Sequence, residues 1–266
     1  MERTRLKSPA AWEAYDYYLR GAEAYIASAR DPENVPFSEA RRLLQRSLAI
    51  DPGYARAYAM LARTWVRSFW DPIDDDYLDP SCIDRAYEFS RKAVLLDENL
   101  PLAHFQLGMA LLHKRRHDEA VAELDRALAL NPNYTDYQFG YGLALAGQSA
   151  RAIEVLQENL RLDPFGHPSR LCHIGQACYM LGRYQEAVTP LRECALRIPV
   201  LWSSYIFLAA SHAQLGELDR AKTEVMNALR IYPAFTVEKL NRALPYNARD
   251  SGHLADGLRK AGLPEI

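Results

Sequence analysis

The sequence predicts an all-α protein: a right-handed superhelix of six stacked helix pairs closed by a C-terminal cap. Three observations predict it. Apolar and small residues recur at helical spacing along most of the chain. Three stretches carry one set of anchors, a small residue, an Ala twelve positions later and a Pro twelve after that: Gly108, Ala120, Pro132; Gly175, Ala187, Pro199; Ala209, Ala221, Pro233. The departures from this spacing fall between helices, where loop insertions are tolerated.

The stretch from Pro101 to Tyr134 serves as the ruler. Leu107, Gly108 and Leu111 mark one face of its first helix, and Ala120, Leu124 and Ala127 one face of its second. Gly108 and Ala120 let the two backbones approach closely. Before this unit, Gly21, Ala40 and Pro52 carry about seven extra residues within Ser28 to Phe37. Ala62 and Ala86 carry about twelve extra, around SFWDPIDDDYLDPSC, and Glu98 stands where the closing Pro would be. After the ruler, Gly142, Ala152 and Pro164 imply a turn two residues shorter, at Gly147-Gln148-Ser149. The expected units are about 10–54, 55–100, 101–134, 135–167, 168–201 and 202–235, acting as one elongated domain over 1–266.

The boundaries have local causes. Asp51-Pro52, Asn131-Pro132, Asp163-Pro164 and Ile198-Pro199 end helices, because Pro disfavours helical geometry in the residue before it. Within pairs, Gly182 and Gly216 suit the left-handed residue that ends a helix, whereas Arg115 holds that place in the third unit at a local cost. Beyond Pro233, Thr236 to Ala243 reads as one helix. Leu254, Leu258 and Ala261 stripe a last one, ended by Gly262. Residues 236–266 are the expected cap, covering an apolar face the sixth unit cannot bury alone.

Composition narrows the function. The chain has 266 residues, 49% hydrophobic and 25% charged, so it can bury a large interior. No apolar run approaches the roughly 18 residues of a membrane helix, and the opening MERTRLKSP lacks a signal peptide's apolar segment. Neither a membrane partner nor self-export is expected. A net charge of −2 and a pI near 6.4 argue against a nucleic-acid partner, which calls for a basic patch. The four cysteines, Cys82, Cys172, Cys178 and Cys194, form no CxxC pair and read as reduced thiols of a cytoplasmic protein.

Motifs for chemistry are weak. His113 and His117 stand four apart, a spacing that can chelate a metal, but no third ligand follows at a fixed offset. Cys172 beside His173 lacks the third group that would orient a base. The acidic run Asp71, Asp74, Asp75, Asp76 and Asp79 lacks the central Gly and closing Glu of a calcium loop, and reads as a solvated loop or, with Phe69, Trp70 and Tyr77, as a small contact surface. Gly-rich phosphate loops and nucleophile elbows are missing as well. No enzyme, catalytic residue, metal or cofactor is therefore expected of this chain.

The groove is more informative. Counted from the ruler, inward positions of the first helices hold Tyr15, Tyr18 and Tyr25, then Arg56, Arg63 and Val66, then Leu102, Phe105, Met109 and Leu112. Phe139 and Leu143 follow, then Gln176 and Tyr179, then Ile206. From these, Tyr15, Tyr18, Arg56, Arg63, Phe105, Met109, Phe139 and Tyr179 are the expected partner-binding residues. Two explanations stand side by side: burial of these side chains against one another, or a peptide groove with an Arg-rich end and an aromatic, Met-containing middle.

The 34-residue unit and its anchors make residues 10–235 resemble the tetratricopeptide repeat family. The resemblance implies a protein–protein interaction scaffold that takes an extended peptide or a helix in its groove. One subclass clamps chaperone C-termini with Asn and Lys. The ninth groove position here reads Ala22, Arg63, Met109, Leu143, Gln176 and Ala210, without that Asn. The ends, AWEAYDYYLRG (Ala11 to Gly21) and GLRKAGLPE (Gly257 to Glu265), resemble the C-terminal repeat region of rhizobial class III adenylate/guanylate cyclase-like proteins. Similar regions follow winged-helix regulatory domains in bacteria. The expected role is a non-catalytic regulatory module in bacterial signal transduction that binds a protein or peptide. The alternative is an oligomerisation or regulatory region that self-associates, attached to a cyclase-like or transcription-regulator-like protein.

Overall fold

A computed structural model describes residues 9–30, 36–72, 74–132 and 136–266, which form fourteen helices packed pairwise. α1 (Pro9–Arg30) pairs with α2 (Phe37–Ile50) and α3 (Ala55–Trp70) with α4 (Pro80–Leu96), and α5 (Pro101–His113) and α6 (His117–Leu130) follow in the chain. They continue with α7 (Gln138–Leu145) and α8 (Ser149–Leu162), α9 (Ser169–Met180) and α10 (Tyr184–Arg197), and α11 (Trp202–Gln214) and α12 (Leu218–Ile231). Two further helices follow, α13 (Val237–Ala243) and α14 (Ala248–Ala261). The opening MERTRLKS, residues 31–35 of the first insertion, Ile73 of the second, and residues 133–135 lie outside the described residues.

The chain divides into two compact units, Met1–Leu111 with Asp125–Pro132, and Leu112–Leu124 with Asn133–Ile266. In the first, α2 buries Phe37, Ala40, Leu43, Leu44 and Ser47, the three-and-four spacing of a helix with one apolar face. A methyl at Gly21 would stand 2.8 Å from Leu44 Cγ, so Gly21 lets α1 lie directly on α2. Ser47 Oγ donates to the Ala14 carbonyl at 2.7 Å and fixes the pair's register.

The second insertion is not a solvated loop. Asp71 is 3% exposed and pairs with Arg67 at 2.9 Å. Asp76 pairs with Arg41 at 3.0 Å, and Arg41 also donates to Ser68 Oγ at 2.8 Å. Asp74 accepts from Ser68 Oγ at 3.0 Å and from the Asp76 amide at 2.9 Å. Asp79 caps α4, accepting from the Ser81 amide, with Pro80 in the first turn. The guanidinium groups of Arg41 and Arg85 both lie against the Trp65 ring, 4.0 and 4.5 Å from its centre. These carboxylates anchor the loop to α2 and α3 and hold its shape.

The second unit bears out the Gly175 anchor and corrects one register. A methyl at Gly175 would overlap Leu191 Cγ and stand 3.0 Å from the Ala187 carbonyl, which is why a small residue recurs there. In the preceding pair the equivalent residue is Gly140, whose added methyl would overlap Leu156, sixteen positions on as in Gly175 and Leu191. Gly140, Ala152 and Pro164 thus keep the standard spacing, and Gly147 (φ 81°) matches Gly182 (φ 74°) as the left-handed end of the first helix. The turn is full length. The two missing residues fall in the connection from α6 to α7. Gly142 resembles the anchor only because a second Gly follows Gly140 by two positions.

The C-terminal segment closes on itself. Thr236 and Asn247 cap α13 and α14 through their side chains, and Gly262 (φ 89°) ends α14. The chain then returns: the carbonyls of Pro264 and Glu265 accept from the amides of Val237 and Glu238 at 2.9 and 3.1 Å. Glu265 pairs with Arg259 at 2.6 Å.

Candidate partner-binding face

In the first unit, Trp12, Tyr15 and Tyr18 stand three apart on α1 and are therefore neighbours on one side of it. Tyr15 stacks on Tyr18 with centroids 6.3 Å apart and planes 25° apart. Trp12 meets Tyr15 edge-on at 6.3 Å, and Tyr18 meets Tyr54 edge-on at 5.3 Å. The result is a ladder of four rings running from α1 to the start of α3. Trp12 is 56% exposed, the three tyrosines are half-buried, and Arg56 beside Tyr54 is exposed. Burial pushes the Tyr54 hydroxyl up to about 12, with Tyr18 adding to the shift and Arg56 opposing it. Tyr54 therefore offers a neutral donor at ordinary pH. Arg63, half-buried, lies over the Tyr25 ring at 5.1 Å.

The other expected groove residues sit elsewhere. Phe105 and Met109 are buried, at 0% and 4% exposure, so the middle of the expected groove serves packing. Phe139 is fully buried for a further reason: counting from Gly142 instead of Gly140 puts it where Tyr137 belongs. Tyr137 and Tyr141 are the residues at these positions. Tyr137 stacks between His167 at 5.1 Å and His173 at 5.7 Å, and His173 stacks on Tyr141 at 4.5 Å.

Tyr179 is buried beneath the chain's own C-terminal helix. Its hydroxyl donates to the His253 carbonyl at 3.0 Å, and its ring stacks on the His253 imidazole at 4.6 Å. A methyl at Gly257 would overlap the Tyr179 hydroxyl and stand 3.1 Å from Ala210 Cβ. Helix α14 thus crosses two groove positions, Tyr179 of α9 and Ala210 of α11.

The remaining candidates are structural by their chemistry. His113 and His117 flank Arg115, and burial together with that cation lowers both, His113 to about 3. A second cation beside Arg115 is unfavourable there. Cys172 is fully buried, receives a hydrogen bond from Gln176 Nε2 at 3.2 Å, and is pushed up by burial, while His173 faces the tyrosines instead. Asp76, Asp79 and Cys82 lie within 4.8 Å of one another. Asp76 is committed to Arg41 and Asp79 to the α4 cap, while burial, Asp76 and Asp79 push the Cys82 thiol up to about 12. A protonated thiol is a poor metal ligand. Among the described residues, no helix is long and apolar enough to cross a membrane.

Sequence reasoning missed exposed Trp12, half-buried Tyr54 and Tyr137, buried Tyr141 in the ring stack with His173, and His253 as a groove occupant. The signal for Trp12 was its spacing of three before Tyr15 and six before Tyr18. The signal for Tyr137 and Tyr141 was Gly140, sixteen before Leu156.

Comparison with known proteins agrees with this architecture. The tetratricopeptide repeat family matches residues 101–134. A protein of Rhizobium meliloti (strain 1021) that bears the name adenylate cyclase 3 is 33% identical over 122 residues, 45% of this chain and 19% of that protein. The transcriptional regulator HilA of Salmonella typhimurium is 29% identical over 154 residues, 55% of this chain and 26% of that protein. The chain thus matches less than a third of the length of these curated relatives. The crystal structure of a thermophilic repeat protein from Thermus thermophilus superposes with a TM-score of 0.55 at 20% identity, covering 74% of this chain and 98% of that one.

Proposed function

We propose that this chain, a tetratricopeptide-repeat protein, works as a non-catalytic module that binds a protein partner through the aromatic face of its first unit. That the six pairs and cap act as one domain over 1–266 is part of the proposal. The observation that carries it is the ladder Trp12, Tyr15, Tyr18 and Tyr54, which runs from exposed Trp12 to half-buried tyrosines with exposed Arg56 beside Tyr54. Trp, Tyr and Arg are the residues enriched at interface hot spots, because each covers a large apolar area and still hydrogen-bonds. Tyr18 and Tyr54 pack by one side on the core between α1, α2 and α3, while Trp12 stands mostly exposed. The pair of α1 and α2 is held by Gly21, Leu44 and the bond from Ser47 to Ala14.

The relatives support a regulatory setting. Two proteins named for different activities are each similar to part of this chain, over less than a third of their own lengths. A region found beside different activities fits an adaptor in bacterial signalling better than the source of either activity. The test is a pull-down from a bacterial lysate, comparing the wild-type chain with a Trp12→Ala, Tyr18→Ala, Arg56→Glu variant of unchanged helicity. A protein retained only by the wild type supports the reading, and identical capture by both sinks it.

A second reading is self-association. Leu162 at the end of α8 with Phe165 beyond it, and Leu196 at the end of α10 with Val200 beyond it, are apolar and 42%, 99%, 76% and 66% exposed. These exposed apolar side chains at the ends of α8 and α10 offer a surface to a second copy. Sedimentation over a hundredfold concentration range decides it: a constant monomer mass removes this reading.

A further inference from the structure

The face of the second unit lined by α9 and α11 is already filled. Helix α14 lies over Tyr179 and Ala210, positions that in a helix-pair array point toward a ligand. It is held by more than apolar contact. The His253 ring stacks on Tyr179 at 4.6 Å, and its Nε2 meets the Tyr184 hydroxyl at 2.9 Å. Gln214 donates to Asp256 at 2.9 Å, and Lys260 bridges Asp256 and the Gln214 carbonyl oxygen. At the other end, Arg115 donates to the carbonyls of Asn241, Leu244 and Tyr246.

A plain end cap needs only to cover the apolar side of α11 and α12, which Leu254 and Leu258 accomplish by burial. The remaining contacts have the character of recognition. A ring fits a slot between two tyrosines, and a glycine four residues later lets the helix backbone reach α11. A cation at the turn of the third pair reads exposed carbonyls. The segment also closes on itself through Pro264, Glu265 and Arg259.

We infer that residues 237–263 are a ligand bound in cis, and that the face of α9 and α11 is a helix-binding site for a partner helix carrying His and Gly four residues apart. The cis segment keeps the site closed until such a helix competes for it. This site is separate from the aromatic ladder of the first unit, so either can fail alone. Competition has a quantitative signature: apparent affinity in trans falls in proportion to the fraction of sites left open.

The test uses the full chain with Gly257→Leu, whose side chain collides with Tyr179 and Ala210 and expels α14. The probe is a fluorescein-labelled synthetic peptide of residues 236–266 with the wild-type sequence. The folded variant is expected to bind it at least about tenfold more tightly than the wild-type chain, whose site is occupied. A variant of native helicity in its repeats that binds no peptide overturns the inference. Hydrogen exchange on the wild-type chain is the second measurement. Amides of α14 are expected to open at least about tenfold more often than those of α9 and α11, as for a ligand that detaches by itself. Exchange of α14 in step with α9 and α11 makes it an inseparable part of the fold and also overturns the inference.

Discussion

Arg115 donates to the carbonyl of Tyr246 at 2.7 Å across 131 positions of sequence, from a backbone held at φ 59°. The same guanidinium reaches the Asn241 carbonyl at 2.8 Å and the Leu244 carbonyl at 3.3 Å. At this turn three other pairs place Gly147, Gly182 and Gly216, which accept a positive φ without cost. The third pair has Arg because its side chain gathers the carbonyls at the end of α13.

Arg115→Gly therefore sets two effects against each other. Relief of the left-handed backbone gains about 1 kcal/mol. Loss of charge-assisted bonds to three carbonyls costs about 1.5–3 kcal/mol. The net expectation is a variant less stable by about 0.5–2 kcal/mol, read as a lower urea midpoint. A variant as stable as the wild type would mean the three bonds are exchanged with water at no cost.

Acid should weaken the second unit well before its carboxylates titrate. His113, His117 and His253 all titrate below the ordinary imidazole value, chiefly through burial, with Arg115 assisting at the first two. In the unfolded chain they take up protons near pH 6.5, while the folded chain resists. Their stabilisation is complete above that value and declines as pH falls, for His113 down to about 3. Between about pH 6.5 and 5 the loss should approach about 1 kcal/mol per pH unit for His113. Denaturation at about pH 7 and about pH 5 checks this, with His113→Gln flattening the difference. Stability that is constant or rising toward acid would contradict the assignment.

Two glycines should respond in opposite directions to Ala. At Gly175 the new methyl overlaps Leu191 and presses on the Ala187 carbonyl, so α9 and α10 must separate, at about 1–3 kcal/mol. At Gly252, within α14, nothing lies within 4 Å of the added methyl, and the gain in helix propensity is about 0.5–1 kcal/mol. Thermal melts of the two variants should bracket the wild type.

Phe139 and Trp12 separate packing from surface. Phe139→Ala removes a fully buried ring and should cost about 3–5 kcal/mol. Trp12→Ala, at a side chain 56% exposed, should change stability by less than about 1 kcal/mol and lower partner capture. A large stability loss at Trp12 would make the ladder part of the core.

The helix pairs follow from the order of residues alone. Gly175, Ala187 and Pro199, with their copy in the preceding pair, specify where two backbones touch and where a helix must stop, and both are local demands. The stacked rings are equally legible, since Trp12, Tyr15 and Tyr18 share a helix face by spacing. The fourth pair is displaced by two residues in such a reading, because Gly140 and Gly142 are equivalent in composition and only the contact with Leu156 distinguishes them. Three matters need the folded chain: the anchoring of Asp71 and Asp76 by Arg67 and Arg41, the burial of Phe105 and Met109, and the seating of His253 on Tyr179. Each joins groups or sets an environment that no helical or repeat period specifies. Periodicity reports what a residue can bury, and only tertiary packing settles which neighbour buries it.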